Sequence, residues 1–112
     1  MPKSLVQVTV NFATDPPTPN PNPVPVSRAN NSGINWVANQ DGYTFTGVTI
    51  DDVAAPTGDF GRPDISTNNA GRSEMSVTDS GDAVTTDHTY SLVYTDPPGN
   101  TRTFDPTIRN EP

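Results

Sequence analysis

The chain contains no cysteine. That absence excludes disulfide frameworks, thiol nucleophiles, cysteine zinc sites and iron–sulfur clusters together, and leaves the core to hold by packing alone. His88 is the single histidine, so a copper or zinc centre that needs two imidazoles cannot form within one chain. Strong helix formers are scarce: two Leu, two Met, two Glu, one Lys and seven Ala are too few for a helical bundle. Basic residues number six against thirteen acids, a net charge of −7. Such a surface repels phosphate backbones and anionic headgroups, so neither nucleic acid nor membrane is an expected partner. No run approaches the roughly 18 apolar residues of a membrane span, and Met1-Pro2-Lys3-Ser4 lacks the apolar stretch of a signal peptide. The expectation is a cytoplasmic protein.

What is present points to strands. Val, Ile and Thr make up 31 of the 112 residues, and these branched side chains suit a pleated surface. Thirteen Pro and eight Gly add frequent turns. Leu, Ile, Val and Phe number only 21, close to the level of disordered chains, but a net charge of −7 is too weak a self-repulsion to keep this chain expanded. The length allows one core, hence a single all-β domain over residues 1–112.

Leu5 to Phe12 alternates cleanly, with Val6, Val8, Val10 and Phe12 on one face, and stops at Thr14-Asp15-Pro16-Pro17. Pro17, Pro19, Pro21, Pro23 and Pro25 then fall at every second position. In an extended chain this spacing deletes every donor along one edge and keeps those of Thr18, Asn20, Asn22 and Val24 on the other, which reads as a guarded edge segment docked on a sheet. A surface-hugging loop and a PxxP ligand are the alternatives. Ile34, Trp36 and Ala38 alternate next, and Trp36 is the natural core anchor. After the turn at Asn39-Gln40-Asp41-Gly42, the apolar phase shifts between Phe45 and Val48, which predicts a β-bulge at Gly47. Residues 51–72 read as long loops with one short strand near Ile65, a region whose length makes it a candidate site. Strands through Met75 and Val77 and through Tyr90, Leu92 and Tyr94 flank an Asp-rich corner, and Asp96-Pro97-Pro98-Gly99-Asn100 closes a hairpin. About seven short antiparallel strands in a β-sandwich of immunoglobulin-like or cupredoxin-like type, with a Pro-rich edge segment, are expected.

The eleven Asp invite a Ca²⁺ reading, with Asp79, Asp82 and Asp87 around one corner and Asp51 and Asp52 in another loop, but EF-hand spacing is missing and Asp is also a turn former. Ser91, three residues beyond His88, falls on the opposite strand face, so a hydrolytic pair does not form. Trp36, Tyr43 and Phe60 are candidates for a carbohydrate surface. Asn30-Asn31-Ser32 matches a glycosylation sequon that a cytoplasmic chain would not use.

The last eight residues, Asp105-Pro106-Thr107-Ile108-Arg109-Asn110-Glu111-Pro112, are the most distinctive. They read as a C-terminal strand or clasp with Ile108 inward and Arg109 paired to Asp105, Glu111 or the terminal carboxylate; alternatively Arg109 and Asn110 present a recognition surface. Through Asp105-Pro106 and Glu111-Pro112, with Arg109-Asn110 between, the chain resembles the DP-EP family of small bacterial proteins. That resemblance implies a bacterial β-sandwich without an assigned activity and supplies no catalytic residue. The functional expectation is a non-enzymatic interaction or assembly module, acting on a protein partner or by self-association, with no cofactor and no bound metal. Trp36, Asp105, Arg109 and Asn110 are the candidate binding residues, and a Ca²⁺ or carbohydrate-binding module is the alternative.

Overall fold

The structure, a computed structural model, describes residues 3–14 and 16–112; Met1 and Pro2 of the N-terminal reading and Asp15 of the first strand stop lie outside the described residues. The alternating runs become strands β1 (Ser4–Asn11), β4 (Asn31–Ala38), β5 (Thr44–Ile50), β8 (Ser73–Thr78) and β9 (Thr86–Thr95). Shorter strands lie between and after them: β2 (Thr18–Asn20), β3 (Val24–Ser27), β6 (Val53–Ala54), β7 (Asp64–Thr67), β10 (Thr101–Phe104) and β11 (Thr107–Glu111). One sheet runs β2-β1-β4-β8-β7 and the other β3-β11-β9-β5-β6, with β10 also paired to β9.

The sandwich expected from composition is therefore present, with two corrections. The described residues form eleven strands and not about seven, because segments of two to five residues are too short to show alternation yet still complete a ladder. The pairing is also mixed: β1 lies parallel to β4 and β3 parallel to β11. Both parallel pairs follow from the proline tract. The tract leaves β1, pairs briefly beside it as β2 with Val10 opposite Pro19, and crosses to the other sheet as β3 with Arg109 opposite Pro25. The chain then returns as β4 in the same direction as β1. The tract is an edge segment as its spacing predicts, but it guards the same side of two sheets and not one continuous edge.

Between the sheets, Val8, Val10, Ile34, Trp36, Met75, Leu92 and Ile108 are wholly buried. Trp36 anchors this core, and its Nε1 donates to the Tyr90 hydroxyl at 3.1 Å, so the one polar atom of the indole is satisfied. The bulge falls where the phase shift puts it: Phe45 stands opposite Tyr94 and Gly47 opposite Val93, with Thr46 the extra residue. That extra residue turns Phe45, Val48 and Ile50 alike into the core. Near Ile65 the short strand is β7, as expected.

Candidate functional site

The richest polar cluster forms where β11 lies antiparallel to the start of β9. Register puts Ile108 opposite His88, Arg109 opposite Asp87 and Asn110 opposite Thr86. Side chains alternate across β11, so Ile108 and Asn110 face inward while Arg109 faces out. Asn110 is wholly buried, and its Nδ2 donates to Asp79 Oδ1 and Asp82 Oδ2, both at 3.1 Å. The Gly81 amide adds a 2.8 Å bond to Asp79 Oδ1. His88 closes the chain of contacts, its Nδ1 2.6 Å from Asp51 Oδ2 and its Nε2 3.1 Å from Asp82 Oδ2. Phe60 covers the ring edge-on at 5.3 Å.

Charge in this corner is tuned by burial. Asp79 is 1% exposed, and burial pushes its carboxyl up to about 6 against the bonds from Gly81 and Asn110, with the carboxylates of Asp59 and Asp82 adding to the rise. His88 goes up too: burial opposes its charged form, but the hydrogen bonds to Asp51 and Asp82 outweigh it. Asp82 is held below the usual carboxylate range, chiefly by the bond from His88. The protonated ring donates from both nitrogens. Two buried oxygens, Asp79 Oδ2 and Asn110 Oδ1, have no partner among the described residues.

In this arrangement the polar side chains hold one another. Both ring nitrogens of His88 are engaged by carboxylates, and Ser91 donates instead to Asp105. Among the described residues no three His, Cys, Asp or Glu side chains converge as a metal ion needs.

The four residues singled out from sequence fall in different places. Trp36 is in the core. Asp105 is exposed and accepts from Ser91. Arg109 is paired to Asp87, Nε to Oδ1 at 2.8 Å and a terminal nitrogen to Oδ2 at 3.2 Å. The expected partners Asp105, Glu111 and the terminal carboxylate give way to Asp87 because register sets it directly opposite. Asn110 joins Asp79 and Asp82, two acids of the predicted corner; the third, Asp87, faces outward. The role of Asp51 was missed, since only the fold brings the turn after β5 to His88. Phe60, a candidate sugar-stacking ring, is buried beside His88, and Tyr43 is half-buried, stacked on Phe12 at 4.3 Å.

A second feature lies on the flank away from the proline tract. There β7 and β6 end the two sheets, β7 is exposed along its whole length, and Ile65 and Val53 are 41% and 52% exposed. Between these edges runs a groove of about 380 Å³ lined by Thr46, Gly47, Val48, Ala54, Pro63 and Ile65 among others. No family model and no curated protein matches the chain.

Proposed function

We propose that the chain is a non-enzymatic interaction module that takes an extended segment of a protein partner along β7. The observation that carries this reading is the asymmetry of the two flanks. Prolines occupy β2 and β3 on one side, whereas β7 on the other is a proline-free end strand with exposed Ile65 beside an uncharged groove. An exposed edge offers main-chain donors and acceptors to an added strand, and the groove offers a place for its alternate side chains. The engagement of both His88 nitrogens and of Ser91 supports the non-enzymatic part. The C-terminal likeness to the DP-EP family, and the finer likeness to an immunoglobulin-like or cupredoxin-like sandwich, belong to the same proposal.

The test is Ile65→Lys, which puts a charge on the edge without entering the core. Affinity capture with quantitative mass spectrometry is expected to retain proteins on the wild type that the variant loses, with unchanged melting of the variant. Concentration-dependent light scattering that Ile65→Lys abolishes would identify the partner as a second copy instead. Identical retention by both proteins, with both strictly monomeric, overturns the proposal.

A further inference from the structure

We infer that the polar corner is a proton-operated latch on β11: Asp79, tied to one sheet, holds Asn110 of the other while it carries a proton and loosens that hold when the proton leaves. The two sides of the latch are anchored separately. Asp79 follows β8, and its own amide donates to the Ser32 carbonyl in β4 at 2.9 Å, so it belongs to the β2-β1-β4-β8-β7 sheet. Asn110 belongs to the other sheet, on a five-residue strand of which only Ile108 and Asn110 are buried. Their contact therefore supplies one of the two inward anchors of β11. Neither residue lines the groove beside β7, so the inference stands apart from the edge reading.

The donors and acceptors of this pair do not balance without a proton. Asn110 Nδ2 has two hydrogens, and both are used, on Asp79 Oδ1 and Asp82 Oδ2. The Gly81 amide goes to Asp79 Oδ1 as well. Asp79 Oδ2 and Asn110 Oδ1 are left over, both shielded from solvent and both acceptors, with no donor among the described residues. A proton taken from solvent onto Asp79 Oδ2 turns one of these acceptors into a donor, and acid and amide then pair reciprocally, N–H to Oδ1 and O–H to the amide oxygen. Returning that proton to solvent restores two unmatched acceptors and leaves a desolvated charge against β11. Other charged groups face the pair from the elements around it: Asp59 from the loop before β7, Asp82 from the β8–β9 turn, and His88 from β9, with its two nitrogens engaged by Asp51 and Asp82. The stem of Arg28, in the β3–β4 turn, lies against Gly81. Burial opposes ionisation of Asp79 and the carboxylates of Asp59 and Asp82 add to it, so its carboxyl goes up to about 6 and the latch operates between mild acid and neutrality.

Amide hydrogen exchange of the full chain at pH 5 and pH 8, followed by NMR and corrected for the intrinsic rate, tests this. Amides of β11 are expected to exchange through an opening of their own, about tenfold or more less protected at pH 8 than those of Trp36 and Val37 in β4, and to lose about tenfold or more of their protection between pH 5 and pH 8. Asp79→Asn, whose amide donates where the acid O–H did and which cannot ionise, is expected to abolish that loss, and His88→Gln to keep it. Equal protection of β11 and β4, no loss between the two pH values, or a loss that Asp79→Asn leaves intact or His88→Gln removes overturns the inference. Protection of β11 at pH 8 that millimolar CaCl₂ restores overturns it too, because the ligand of the two oxygens would then be a cation and not a proton.

Discussion

At the scale of single residues, the polar corner trades stability for order. Asp79 is buried with one oxygen unpartnered among the described residues, and its ionisation is opposed by burial and by the nearby carboxylates of Asp59 and Asp82. A carboxyl whose folded pKa is raised from 3.8 to about 6 contributes stability that is full below 3.8 and lost as pH rises through 6. The loss is on the order of 3 kcal/mol. Asp79→Asn keeps the oxygen that accepts from Gly81 and Asn110 and cannot ionise. Denaturant unfolding is therefore expected to show the variant about 2–3 kcal/mol more stable than wild type at pH 8 and nearly equal at pH 4. An equal gain at both pH values would show that packing, and not ionisation, sets the cost.

At the scale of elements, two glycines that lie within strands separate sharply. Gly33 sits where β4 meets β8, opposite Thr78, and a Cβ there would be driven into the Val77 carbonyl and within 2.8 Å of the Thr78 backbone. Gly47 sits in the bulge of β5 with nothing among the described residues within 4 Å of its Cβ position. Gly33→Ala is expected to cost about 2–4 kcal/mol by forcing β4 and β8 apart, and Gly47→Ala less than about 0.5 kcal/mol, both read from the midpoint of denaturant unfolding. The bulge itself was legible in the sequence because a bulge breaks the alternation of its own strand, between Phe45 and Val48. The faces of β1, β4 and β9 were legible for the same local reason. The parallel pairs were not, because direction and neighbour depend on where the proline tract crosses between sheets. The polar corner was legible only in pieces: Asn110 and the Asp79–Asp82 turn stood out separately, while their meeting, and the pairing of Arg109 with Asp87, depend on the register of β11 against β9. Register is set by long-range packing, to which no run of neighbouring residues testifies.

At the scale of the whole molecule, the titrating groups act together to place the pH of greatest stability. His88, raised above 6.5, contributes stability that is present below 6.5 and lost as pH climbs through its folded value. Asp79 loses its contribution earlier, between 3.8 and about 6. Both slopes fall toward alkali. Asp82, Asp87 and Asp96 slope the other way, each held low first by a hydrogen bond from His88, Arg109 or Arg102 respectively. Their contributions are present above 3.8 and fade as pH falls through their lowered folded values. A net charge of −7 adds self-repulsion at neutral pH that protonation relieves. The opposing slopes meet close to pH 4, so thermal melts from pH 3 to pH 9 are expected to peak in mild acid and to decline steadily toward pH 9. In His88→Gln the decline above pH 6.5 is expected to flatten, while the fall between 3.8 and 6 persists because Asp79 still causes it. A wild-type maximum at pH 7 or above would mean that Asp79 does not carry its raised value in solution, and an undiminished decline above pH 6.5 in His88→Gln would mean that the bonds from His88 to Asp51 and Asp82 do not cause it.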